Sequence, residues 1–168
     1  MEMKLTEKNA IKMKHSKWVF TLILSILLIC GSAGMAQTKS DSLAIEKACR
    51  DYVEGWVTGN ADRVAQGISP ELVKRTVSLD KEGASFTNNM SASLLIMITK
   101  MNKEGVKAKD LEPDKPFSLD VRIYDISGDF ALARTANTKY GFFDYCQLAK
   151  FNGEWKIINV LWGMLPKK

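Results

Sequence analysis

Histidine is nearly missing from this 168-residue chain; the only one is His15. It sits in an N-terminal stretch that reads as a removable leader, so the processed chain would carry none. That absence excludes histidine-based general acid–base catalysis, Ser-His-Asp and Cys-His nucleophile chemistry, and histidine-ligated zinc. Cysteine is scarce too. Of Cys30, Cys49 and Cys146, the first belongs to the leader. The other two are either separate buried thiols or, in an oxidising compartment, a bridge. No metal-spaced cysteine cluster, glycine-rich phosphate loop or nucleophile elbow occurs. Nothing in the sequence calls for a metal or a cofactor.

The leader has three parts. Lys12, Lys14 and Lys17 form a basic region, Trp18 to Ile29 is a run of twelve uncharged residues, and Gly34 and Ala36 stand at the minus-three and minus-one positions before Gln37. This is the layout of a secretory signal peptide. A retained membrane anchor needs about 20 apolar residues, more than the run supplies. Cys30 follows Leu28 and Ile29, whereas lipoprotein processing prefers a small residue there. Met13 is an alternative start. The expectation is a signal peptide over 1–36 and a single exported domain over 37–168, periplasmic or secreted and free of the membrane after cleavage. Cleavage would remove five of the 24 basic and two of the 19 acidic residues, leaving a net charge of +2 in place of +5. No basic stripe suited to a phosphate backbone remains, so nucleic acid is not an expected partner.

Past the leader, Ser40, Asp41 and Ser42 are helix-capping candidates. Ile45, Ala48, Cys49, Tyr52, Val53 and Trp56 follow at helical spacing. Gly59 should stop this helix and Asn60 should cap a short second one over 61–66, ended by Gly67 and Ser69-Pro70. Residues 72–79 alternate as a strand, 80–83 turn, and 85–88 offer a short return. A third helix is expected over 92–103, opened by Ser91 and closed by Gly105, with a polar loop over 110–116. Thereafter the period is two. Residues 117–126, 129–138, 142–151 and 154–161 read as four consecutive strands, the last two joined at Asn152-Gly153, a strong hairpin signal. Helices first and an antiparallel meander after them define an α+β architecture.

The stretches YVEGWVTGNADRV, DISGDFALARTA and FFDYCQLAKFNGEWKIINVLW together resemble the NTF2-like superfamily over about residues 41–162. Within it they resemble the group labelled putative lumazine-binding, or nuclear transport factor 2 family. The resemblance implies three N-terminal helices packed on a curved, mostly antiparallel sheet, a cone whose concave side holds a small apolar molecule. The superfamily includes ketosteroid isomerases, polyketide cyclases and scytalone dehydratases. Their chemistry uses an Asp–His dyad or a carboxylate base facing a tyrosine. Tyr52 falls where the isomerases' helix-one tyrosine would, but the base position falls on Thr76, which cannot take up a proton at neutral pH. The resemblance thus points to non-catalytic binding of an apolar or aromatic ligand, or to a dimeric interaction module. The alternative is an isomerase or dehydratase using a carboxylate from another strand, which must face Tyr52 inside the cone.

Six residues are candidates for the pocket: Tyr52, Trp56, Arg134, Tyr145, Gln147 and Asn159. Tyr52 and Trp56 lie four apart on the first helix, either at the pocket or packed in the core. Strict alternation puts Tyr145 and Gln147 on one side of their strand, and Asn159 on the side of Trp155 and Ile157. The two amides then stand on an apolar wall, orienting a ligand or bonding one another. Arg134 either anchors an anion or pairs with Asp120 or Asp144. Asp51 and Glu54 lie off the helix stripe and read as solvated. Neither terminal strand has a wholly polar face, which leaves room for a homodimer through the sheet.

Overall fold

A computed structural model describes residues 38–101 and 117–166. The expected leader and its cleavage point before Gln37, the helix stop at Gly105 and the loop over 110–116 lie outside the described residues. Helix α1 covers residues 38–58. It is already helical before Ser40, so the three capping candidates lie inside it. Asp41 ties the helix to the final hairpin instead. Its Oδ1 accepts from Trp155 Nε1 at 3.0 Å and from Lys150 Nζ at 2.6 Å. The expected stripe is the buried one, with Ile45, Ala48, Cys49, Tyr52 and Val53 all in the core.

Gly59, at φ +70°, ends α1. Its N–H donates to the Trp56 carbonyl and that of Asn60 to the Gly55 carbonyl, the paired bonds of a Schellman stop. Asn60 then caps α2 (Ala61–Gly67), its side chain accepting from the Arg63 N–H at 3.0 Å. Strand β1 (Ile68–Leu79) starts four residues earlier than alternation suggested and takes in Pro70. The proline is tolerated because the pairing with the final strand is irregular between Ile68 and Val73. After β2 (Ser85–Ser91), the Ser91 hydroxyl accepts from the Leu94 N–H and opens α3 (Ala92–Met101). The meander is β3 (Leu119–Ser127), β4 (Phe130–Asn137), β5 (Phe142–Phe151) and β6 (Glu154–Met164). Asn152 and Gly153 both have positive φ, as the hairpin reading required.

The six strands form one sheet in the order β2-β1-β6-β5-β4-β3. All neighbours are antiparallel except β1 and β6, which run parallel. The protein is thus α+β, with helices on a mixed, mostly antiparallel sheet. One register detail decides what faces the helices. Gln147 pairs with Asn159 and Leu148 with Ile157, so Ile158 is an extra residue in β6. A one-residue bulge exchanges the two faces of a strand. Trp155 and Ile157 before it and Val160 after it are all buried, while Leu161 is 53 % exposed. The single face assigned to Trp155, Ile157, Asn159 and Leu161 by alternation is therefore split.

The end of α2 meets α1 backbone to backbone. A methyl on Gly67 would stand 2.4 Å from the Ala48 carbonyl oxygen and 2.8 Å from the Tyr52 nitrogen. Neither atom can move without shifting α1. Gly67→Ala is expected to lose about 1–3 kcal/mol of stability, the usual cost of overpacking, measured by urea denaturation. An unchanged midpoint would show that the two helices are not in this contact.

Candidate functional site

Between α1, α3 and the inner side of the sheet lies a cavity of about 390 Å³. Tyr52, Val53 and Trp56 line it from α1, Leu95 and Ile98 from α3, Met90 from β2, and Phe142, Trp162 and Met164 from the meander, with Tyr140 in the turn before β5. Trp56 stands edge-on to Phe142, with ring centroids 5.5 Å apart, and to Tyr140 at 6.4 Å. Such edge-to-face contacts fix large rings in place.

Among the described residues the one charged group lining the cavity is Lys74, on β1. Its ammonium sits 5.2 Å from the Tyr52 ring centre and 5.1 Å from that of Trp162, within cation–π range. It donates to Asp144 Oδ1 at 2.7 Å and to the Tyr52 hydroxyl oxygen. Tyr52 donates in turn to Asp144 Oδ1 at 3.2 Å, and Thr135 Oγ1 donates to Asp144 Oδ2 at 3.0 Å. Asp144 is wholly buried and the Lys74 side chain is 12 % exposed. Burial, and secondarily the neighbouring Asp144 charge, push the Tyr52 phenol well above its ordinary pKa. Tyr52 therefore stays a neutral donor. The result is an apolar, aromatic chamber with one polar end, whose positive charge is balanced from beneath.

Of the sequence candidates, Tyr52 and Trp56 line this cavity. Arg134, Tyr145, Gln147 and Asn159 do not; they lie on the opposite side of the sheet from Asp144 and Cys146. Asn159 donates to Gln147 Oε1 at 3.1 Å, so the amides bond one another, and the Ile158 bulge explains why Asn159 faces outward. Tyr145 is 41 % exposed. Arg134 pairs with neither Asp120 nor Asp144; its guanidinium lies 5.3 Å from the Phe143 ring centre. A carboxylate does face Tyr52, that of Asp144, but it is not among the residues that line the cavity. It was visible as an acid on the same strand side as Cys146 and Leu148. Lys74 was visible as a cation on the side of Leu72. Neither could be paired without the sheet order, because 70 residues separate them.

The reading of Asp51 and Glu54 as solvated changes. Asp51 is not solvated: it is 7 % exposed and accepts from Arg63 Nε at 3.0 Å and from Lys47. Burial works to raise its pKa, but the bonds from Lys47 and Arg63 outweigh it and leave the carboxyl below its usual value. Glu54 joins the same network through Arg50 and Arg63. Cys49 and Cys146 are free and buried, the separate thiols of the first reading; the neighbouring Cys49 side chain, with burial, raises the Cys146 thiol pKa well above its usual value.

Proteins of known structure share the fold. An NTF2-like protein of unknown function from Shewanella baltica is 19 % identical, covers 76 % of this chain and 96 % of its own, and superposes with a TM-score of 0.57. A domain of unknown function with a cystatin-like fold from Nostoc punctiforme is 14 % identical, with 76 % and 79 % coverage and a TM-score of 0.52. A "Putative Scytalone Dehydratase" from Novosphingobium aromaticivorans is 14 % identical, with 79 % and 89 % coverage and a TM-score of 0.50. At these identities the likeness is one of fold, the NTF2-like, cystatin-like fold. The family described as "Putative lumazine-binding" matches residues 40–163, and the chain belongs to it. No curated protein matches the chain.

Removing one partner of a buried ion pair leaves the other charge without compensation. Lys74→Met is expected to lose about 3–5 kcal/mol of stability. Lys74→Met/Asp144→Asn, which removes both charges, should recover most of that loss. Chemical denaturation of the two variants measures both. Equal losses would mean that Asp144 is not a buried charge.

Proposed function

We propose that this domain binds a small apolar or aromatic molecule in the cavity beneath α1 and does so without catalysing a reaction. The observation that carries the reading is a largely apolar, aromatic-walled space of about 390 Å³, a ligand-sized volume, in which Lys74 is the one charged group among the described lining residues. The non-catalytic part rests on Asp144. Both of its oxygens are engaged, by Lys74, Tyr52 and Thr135, and it lies behind Lys74 instead of lining the cavity. A base must reach the proton it removes. Fold likeness to a dehydratase-named structure supplies no chemistry by itself.

The neutral fluorophore N-phenyl-1-naphthylamine is expected to bind the purified protein saturably with a blue-shifted emission. Ile98→Trp, which places an indole in the cavity, should abolish that binding while the protein stays folded by circular dichroism. Saturable binding untouched by Ile98→Trp, or none in the unaltered protein, would rule out the cavity as the site.

Two companion readings follow from the sequence. We propose export with cleavage before Gln37, supported by the basic, uncharged and small-residue segments of the leader. Intact mass spectrometry of protein recovered from its own host should give the mass of residues 37–168; the full-length mass would contradict it. We also propose self-association through the outer side of the sheet. Support comes from exposed Phe130, Leu132, Tyr145 and Leu161 on adjoining strands. Light scattering should report a dimer that Leu161→Glu dissociates, and a monomer at high micromolar concentration would end the idea.

A further inference from the structure

We propose that the cavity selects neutral, flat molecules bearing a carbonyl-type oxygen, to which the remaining N–H of the Lys74 ammonium donates. The inference rests on the cavity being a binding site. It deepens that reading from hydrogen-bond stoichiometry and charge balance.

A lysine ammonium carries three donors. One goes to Asp144 Oδ1 and one to the Tyr52 hydroxyl oxygen. The Tyr52 proton is itself committed to Asp144, so Tyr52 cannot serve a ligand without breaking the network. Among the described residues Lys74 meets no third acceptor. Its remaining N–H belongs to a residue that lines the cavity, whose other described lining residues are apolar or aromatic. A ligand that fills the chamber and offers no acceptor strands that donor away from water, which is unfavourable.

Charge decides which acceptor fits. Lys74 and Asp144 cancel, so the site is already neutral without a ligand. An anionic ligand would bring an uncompensated negative charge into an apolar space and set it near Asp144, after losing its own hydration. A ketone, quinone or lactam oxygen receives a charge-assisted hydrogen bond without adding net charge. The walls set the shape. Tyr52, Trp56, Phe142 and Trp162 present ring surfaces suited to a flat molecule. Lys74 thus sets specificity, and the rings supply affinity.

Three ligands on one scaffold test this: 2-acetylnaphthalene, 2-ethylnaphthalene and 2-naphthoate, each titrated by displacement of N-phenyl-1-naphthylamine from the purified protein. The ketone should bind at least about ten-fold more tightly than the hydrocarbon, about 1.4 kcal/mol, although it is the less hydrophobic of the two. The carboxylate should bind most weakly. In Lys74→Met/Asp144→Asn, the ketone's advantage should fall below about two-fold. Equal affinity for ketone and hydrocarbon, a preference for the carboxylate, or an advantage that survives the double variant would overturn the inference while leaving the binding site in place. Failure of all three to displace the fluorophore would remove both readings. If the double variant does not fold, the ranking in the unaltered protein decides alone.

Discussion

An ammonium and a carboxylate held under an apolar chamber impose a condition on everything around them. Either charge alone would be costly in this interior; together, and hydrogen-bonded to Tyr52 and Thr135, they are tolerable. Lys74 comes from β1 and Asp144 from β5, which are not neighbours: β6 lies between them. The pair therefore spans three strands, and Tyr52 adds α1 from above. Thr135 on β4 takes the remaining carboxylate oxygen. Three parts distant in the chain, α1, β1 and the β4–β5 hairpin, must arrive correctly for one buried group to be satisfied. The network thus links the parallel β1–β6 junction, the meander and the first helix.

The bulge at Ile158 is what lets this happen without leaving the core open. Before it, Trp155 and Ile157 pack under α1, with Trp155 also bonded to Asp41. After it, Val160 and Trp162 take the inner side, and Trp162 reaches the Lys74 ammonium. Without the extra residue, Asn159 and Leu161 would turn inward and Trp162 outward. One unpaired backbone position thus separates a packed lower core from a hollow upper one. The hollow part keeps aromatic walls because Trp56, Tyr140 and Phe142 lock edge to face.

Much of this was legible in the chain, and the failures have a common cause. The α1 stripe, the Gly59 stop, the Asn60 cap, the Ser91 opening and the Asn152-Gly153 turn depend on local chemistry, and each appears where local chemistry puts it. The four-strand meander followed from period two. Local spacing could not show the extra residue in β6, because a bulge is a mismatch between two strands and leaves no mark on one. That misplaced Asn159. Tyr145 and Gln147 are outward because their strand's other side carries Cys146 and Asp144 into the core, a choice that alternation alone leaves open. Asp41 read as a cap because its partners, Lys150 and Trp155, are more than a hundred residues away. Asp51 read as solvated because Arg63 reaches it from α2. The polar end of the cavity was missed for the same reason: its members are ordinary in isolation and become a site only through strand order.

Family membership and fold leave the ligand open, so the weight of the account falls on the buried network itself. Nitrogen-15 NMR of lysine ammonium groups addresses it directly. The Lys74 ammonium, set among the Tyr52 and Trp162 rings and closed off by Asp144, should give a resolved signal at neutral pH. That signal should exchange slowly with water and be displaced by ring currents. Lysine signals that all exchange rapidly at unperturbed positions would mean that Lys74 is in solvent, and the site described around it would not exist.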